Sequence, residues 1–138
     1  MKRLAAIAAL FLGCAGSIEG QQVRDALAIA AARWEHATGI PAEEPETIEV
    51  CGRFRCGASE GAIGCYHYPT ESITIDACDG DAEWALAHEY GHYLGAVHLP
   101  PGTLMAPGSG SASHCITAAD VDEVCLSRAC PVRRPECN

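Results

Sequence analysis

From Gln22 to Thr38, the residues Val23, Leu27, Ala30, Ala31 and Trp34 recur at the spacing of one helical face, while Arg24, Asp25, Arg33 and Glu35 fall elsewhere. Gly39 and Pro41 end the pattern, so a first helix is predicted over 22–38, after a short linker at 15–21. AEEPE (42–46) reads as a turn and TIEVC (47–51) as a strand. RFRC (53–56) and GCYHY (64–68) are shorter β candidates, separated by the small-residue stretch GASEGAIG. In SITIDAC (72–78), Ile73 and Ile75 alternate with polar neighbours, the signature of a half-buried strand. DGDAEWALAHEYGHYLG (79–95) then carries acids in its first turn and glycine at its end, the charge bias and stop of a second helix. GSGSAS reads as a flexible link. ITAAD (116–120) opens a third helix, with Thr117 as cap, Asp120 at the third helical position and Ile116 placed to staple onto Val121. The tail from Cys130, with Pro131 and Pro135, reads as irregular. Three helices and a small sheet make this a small α+β domain, expected over 22–138, and no internal repeat interrupts it.

Composition changes the picture mainly at the N-terminus and through cysteine. At 138 residues the chain is one small domain. Its opening, MKRLAAIAALFLGC, places Lys2 and Arg3 before an apolar run from Leu4 to Leu12. That is a signal peptide, too short to span a bilayer. Its LFLGC ending resembles the lipobox of bacterial lipoproteins, in which the cysteine is lipidated. The expectation is therefore an exported envelope lipoprotein with Cys14 as mature N-terminus, ordinary secretion being the alternative. The chain has 9 cysteines. Setting Cys14 aside leaves Cys51, Cys56, Cys65, Cys78, Cys115, Cys125, Cys130 and Cys137, an even set suited to four disulfides in an oxidising compartment. No C-x-x-C pair suggests a cysteine zinc site, and roughly a hundred connectivities stay open. The net charge of −9 argues against a nucleic-acid partner, which would want a basic face.

The stretch HEYGHYLGAVH (88–98) carries the chemistry. His88 and His92, four apart on a helix, project from one face and can meet one metal ion at Zn–N distances of about 2.0–2.1 Å. Were the helix to continue, His98 would lie about 9 Å further along and on another side. Gly95 allows the chain to turn instead, because glycine takes the left-handed conformation without steric cost. Three neutral nitrogens leave a fourth position for water, as in catalytic rather than structural zinc. Zinc lowers the pKa of that water toward about 7, and Glu89, next to a ligand, can take its proton as general base. A glycine inside a helix costs about 1 kcal/mol, so Gly91 implies that something needs its space. His36, His67 and His114 have no such context and are read as non-ligands.

HEYGHYLGAVH resembles the H-E-x-x-H-x-x-G-x-x-H pattern of the metzincin zinc peptidases. Met105, in LMAP, looks like that family's Met-turn, and the M-x-P ending together with ITAADVDEV is most similar to the matrixin branch. The resemblance runs from about Ile73 to Val124 and is most specific at 88–107. It implies zinc ligands at His88, His92 and His98, Glu89 as general base, Met105 as a cushion beneath the histidines, and Pro107 shaping the adjacent wall. The implied fold is a twisted mixed sheet backed by the first and second helices, with the strand at 73–75 as the edge to which a peptide substrate adds. RFRCGAS (53–59) superficially resembles the matrixin inhibitory cysteine segment, but the even cysteine count assigns Cys56 to a disulfide.

The expected function is thus a zinc-dependent endopeptidase acting on protein or peptide substrates, with one catalytic Zn2+. The alternative is a non-catalytic, disulfide-stapled envelope protein that keeps zinc for stability; a third reading is zinc storage or transfer. An intact Glu89 beside an open three-histidine site favours the enzyme.

Overall fold

The structure, a computed structural model, describes residues 16–138. The signal-like segment and the proposed anchor Cys14 lie outside the described residues. Helix α1 runs Gly16–Thr38, six residues ahead of the expected start, and takes up nearly all of the supposed linker. Val23, Leu27, Ala30, Ala31, Trp34 and Ala37 form its buried face, as the spacing predicts. Gly39 ends it at φ +73, where any Cβ would come within 3.0 Å of Pro131 Cβ. The close of α1 is therefore shaped by the C-terminal tail, whose Val132 and Arg134 amides donate to Thr38 and Ala37 carbonyls.

Five short strands follow: β1 (Thr47–Val50), β2 (Phe54–Cys56), β3 (Ser59–Ala62), β4 (Gly64–His67) and β5 (Ser72–Asp76). β1 pairs with β5 in parallel and β4 pairs with β5 antiparallel, giving a mixed sheet in the order β1-β5-β4. This corrects one expectation. The strand at 73–75 is central, with Ile73 and Ile75 fully buried, and the antiparallel edge is β4. Alternation reports burial of one face and carries no information on lateral position in the sheet. The small-residue stretch also differs from expectation, since Ser59–Ala62 is itself a strand, hairpinned onto β2.

Helix α2 (Ala82–Tyr93) packs against α1 on one side and against β4 and β5 on another. Ala30 and Ala31 on α1 and Ala87 on α2 are small and buried, and Trp34 Nε1–H donates to the Ala87 carbonyl at 2.9 Å. Helix α3 (Ala118–Ser127) begins as the sequence predicts. Thr117 and Asp120 cap one another reciprocally, and Ile116 and Val121 are both buried.

All eight cysteines of the described region are paired: Cys51–Cys78, Cys56–Cys65, Cys115–Cys137 and Cys125–Cys130. The first joins the ends of the parallel neighbours β1 and β5, the second ties the β2–β3 hairpin to β4, and the last two hold the tail and α3. Cys56 is thereby a disulfide partner. On a chain-entropy account the Cys51–Cys78 loop, with separation 27, is worth about 3.5 kcal/mol. The Cys125–Cys130 loop, with separation 5, is worth about 2 kcal/mol. Denaturant unfolding of the two double Cys→Ser variants should therefore show the larger loss for Cys51/Cys78, and thiol titration of denatured, unreduced 16–138 protein should find no free thiol.

Candidate metal centre

His88 and Glu89 sit in the second half of α2, His92 in its last turn, and His98 lies four residues beyond its C-cap, Leu94. The helix ends in a Schellman arrangement: the Gly95 amide donates to the His92 carbonyl and the Ala96 amide to the Gly91 carbonyl, both at 2.9 Å. Gly95 has φ +102, as expected from sequence, and a second constraint acts there, because a Cβ would lie 2.7 Å from Ser127 Oγ. The turn brings His98 back. One ligand atom each from His88, His92 and His98 lies within 4.8 Å of the others, so the group could hold one metal ion. Their rings stand 4.8–5.3 Å apart.

The surrounding hydrogen bonds decide which nitrogens face inward. His88 Nδ1 bonds the Leu104 carbonyl at 2.8 Å and His92 Nδ1 bonds the Ala96 carbonyl at 2.7 Å. A carbonyl only accepts, so both Nδ1 atoms carry the proton and both Nε2 atoms present bare lone pairs. Those two Nε2 atoms are 3.2 Å apart. Burial, as the largest cause, pushes His88 down to about 4 and also lowers His92, so neither supplies a proton to bridge them at neutral pH. Two lone pairs facing each other at that distance repel unless a cation lies between them. Tetrahedral coordination at zinc–nitrogen lengths sets neighbouring nitrogens about 3.3 Å apart, which this pair matches.

Glu89 is 8% exposed, and burial pushes its carboxyl up to about 8, opposed by a hydrogen bond from the Tyr66 backbone. It lies against β4 so closely that a Cβ at Gly64 would meet its Oε1 at 2.8 Å. With the three histidines it lines a cleft of about 560 Å³, bounded also by Tyr66, Trp84 and Pro107. Pro107 is thus part of the wall.

On α2 between His88 and His92 in sequence, Gly91 has its explanation. A Cβ there would lie 2.3 Å from Met105 Sδ and 2.9 Å from Trp34 Cζ2. Met105, wholly buried, packs against α2 at Gly91. Its segment is held by Asp120, whose Oδ2 and Oδ1 accept the Leu104 and Met105 amides at 2.9 Å each. The same Oδ2 accepts from the Thr117 amide and hydroxyl. The capping box was legible in sequence; the second role of its acid was not, since no local pattern links residue 120 to 104. Gly64 and Trp84 were missed for the same reason. Among the other histidines, His67 bonds Thr74 Oγ1 at 2.9 Å. Cys51, Asp76 and Cys78 also cluster, but both sulfurs are spent in a disulfide.

No known family, curated protein or solved structure matches the chain. The geometry itself defines the class: an α+β domain in which two helical histidines and a third beyond the helix end could hold a metal ion.

Two outcomes follow. Asp120→Ala removes a cap and strands buried amides of Leu104, Met105 and Thr117, so it should cost at least about 2 kcal/mol in denaturant unfolding. It should also weaken metal affinity in equilibrium dialysis, because the Leu104 carbonyl orients His88. The second concerns pH. Glu89 is raised in the folded state, so its contribution to metal-free stability is fully present below about pH 4.5 and lost as pH rises through about 8. His88 is depressed, so its contribution is present above about pH 6.5 and lost as pH falls through about 4. Because the trends oppose, Glu89→Gln is the comparison that isolates one. With chelator present it should gain on wild type by on the order of 2–4 kcal/mol between pH 5 and 8, read from urea melts.

Proposed function

We propose that the chain is a zinc-dependent endopeptidase of metzincin type, most like the matrixin branch, acting on extended protein or peptide segments. The observation that carries this is the meeting of three imidazole nitrogens within 4.8 Å beside the buried Glu89, in one open cleft. His88, His92 and His98 would hold the zinc; their neutral nitrogens and the exposed side at His98 suit a catalytic ion with a position left for substrate. Bound there, zinc supplies Lewis acidity, lowering the pKa of a water and polarising the scissile carbonyl.

Glu89 moves the proton. Its burial raises the carboxyl toward the working pH, a dication nearby draws it back into the carboxylate form, and the balance suits a group that both takes and returns a proton. β4, the free antiparallel edge beside Glu89, is the strand to which an extended substrate adds through its main chain. The Leu104 and Ala96 carbonyls keep His88 and His92 in one tautomer throughout. Four disulfides support export to an oxidising compartment, and a lipid anchor at Cys14 completes the reading as an envelope protein.

Three variants separate metal binding from chemistry. Glu89→Ala should keep near-stoichiometric zinc yet lose hydrolysis of a denatured protein substrate by roughly 10²–10⁴-fold. His98→Ala should lose activity by weakening the metal. Gly95→Val should resemble it, because a β-branched residue resists φ +102 and meets Ser127. Zinc content and proteolysis measured on all three decide the matter. A zinc-loaded wild type that cleaves nothing across a broad panel sinks the enzyme reading; loss of zinc in Glu89→Ala sinks the assignment of roles.

A further inference from the structure

Arg53 stands at the root of the β2–β3 hairpin and, among the described residues, is the one arginine or lysine lining the cleft. Its base is fixed on both sides. Cys51 is joined to Cys78, and the Gly52 amide donates to Asp76 Oδ1 at 2.9 Å. On the other side, Phe54 pairs with Ala62 across the hairpin. The strand opposite runs on through Ile63, whose carbonyl accepts the Asp76 amide, to Gly64, where β4 meets Glu89. Arg53 therefore sits beside the Glu89 end of the free edge to which an extended chain would add.

Its tip is not fixed. The side chain is 65% exposed, and its polar contact is one 3.4 Å approach to Asp79 Oδ2. Asp79 has a closer partner of its own, since its Oδ1 accepts the Asp81 amide at 2.9 Å. So long and wet an ion pair holds neither group firmly. A guanidinium offers a fork of N–H donors that matches a carboxylate two at a time, and Asp79 engages one. Charge points the same way. The chain carries a net −9, yet the described cleft wall sets a single acid, Glu89, against Arg53. A dication on the three histidines would make this concavity the positive region of an acidic protein, and a concave site focuses such a field.

We infer that the Arg53 guanidinium is a specificity-determining group that selects an acidic side chain, aspartate or glutamate, in the bound polypeptide. The inference rests on the peptidase reading for the kind of occupant, but the selectivity does not depend on hydrolysis.

The test uses capped hexapeptides that differ at one position, Glu, Gln or Lys, scanned along the sequence. Binding to metal-free protein, where nothing turns over, is measured by calorimetry at low and high salt. At one position the Glu peptide should bind roughly three- to tenfold more tightly than the Gln peptide, with Lys weakest, and the advantage should shrink at high salt. Arg53→Gln, an exposed change, should abolish the Glu advantage while the Gln peptide binds as before. Arg53→Lys, which keeps the charge and loses the fork, should retain only part of it. Arg55→Gln is the control: Arg55 pairs with Glu60 at 3.4 Å outside the cleft lining, and its loss should leave the preference intact. Equal binding of Glu and Gln peptides at every position overturns the inference. So does a Glu preference that survives Arg53→Gln, or one that Arg55→Gln removes equally, and so does the absence of binding by any peptide. Glu preference in binding with no cleavage by zinc-loaded protein would leave this inference standing and remove the peptidase reading; cleavage without the preference would do the reverse.

Discussion

The Asp120 carboxylate is wholly buried and accepts hydrogen bonds from the amides of Leu104, Met105 and Thr117 and from the Thr117 hydroxyl. Four donors on two oxygens are what a buried carboxylate needs to remain tolerable inside a protein. The consequence is mechanical. The start of α3 and the 104–105 segment become one unit, so the Leu104 carbonyl is held where His88 Nδ1 finds it, and Met105 is held beneath Gly91. The His88 tautomer is thus set by a residue 32 positions away along the chain, through one peptide unit. Removing the acid would loosen α3, the 104–105 segment and the orientation of His88 together.

What could be read from the sequence divides along physical lines. His88, His92, Gly95 and His98 were legible because helical periodicity and the glycine stop are local, and the structure brings the three rings together as that spacing requires. The capping box at Thr117 and Asp120 was legible for the same reason, and the disulfides through parity alone. Contacts between distant segments were not. Ile73 and Ile75 announce a buried face but not a central strand, and the edge that a period of two cannot distinguish from it is β4. The glycine of β4 gave no sign that Glu89 fills the space where its Cβ would stand. Gly91 is the instructive intermediate. Its cost in a helix announced a close neighbour, and only the fold identified that neighbour as the sulfur of Met105.

The described domain is closed by covalent staples, and this bears on how the three histidines could hold a metal ion. In small domains that fold around zinc, ligand geometry and folding are one event. Here Cys51–Cys78 joins the two parallel strands, Cys56–Cys65 fixes the hairpin to β4, and the other pairs secure α3 and the tail. A rigid frame can hold an arrangement that would otherwise relax: two bare Nε2 atoms 3.2 Å apart and a carboxyl that burial raises to about 8. Each is unfavourable without a cation, and each becomes favourable with one. The staples and the Asp120 linkage therefore place the unfavourable terms in the metal-free fold, where binding of a dication relieves them. A metal ion held there would draw its affinity largely from preorganisation, and little of it would be spent on folding the chain.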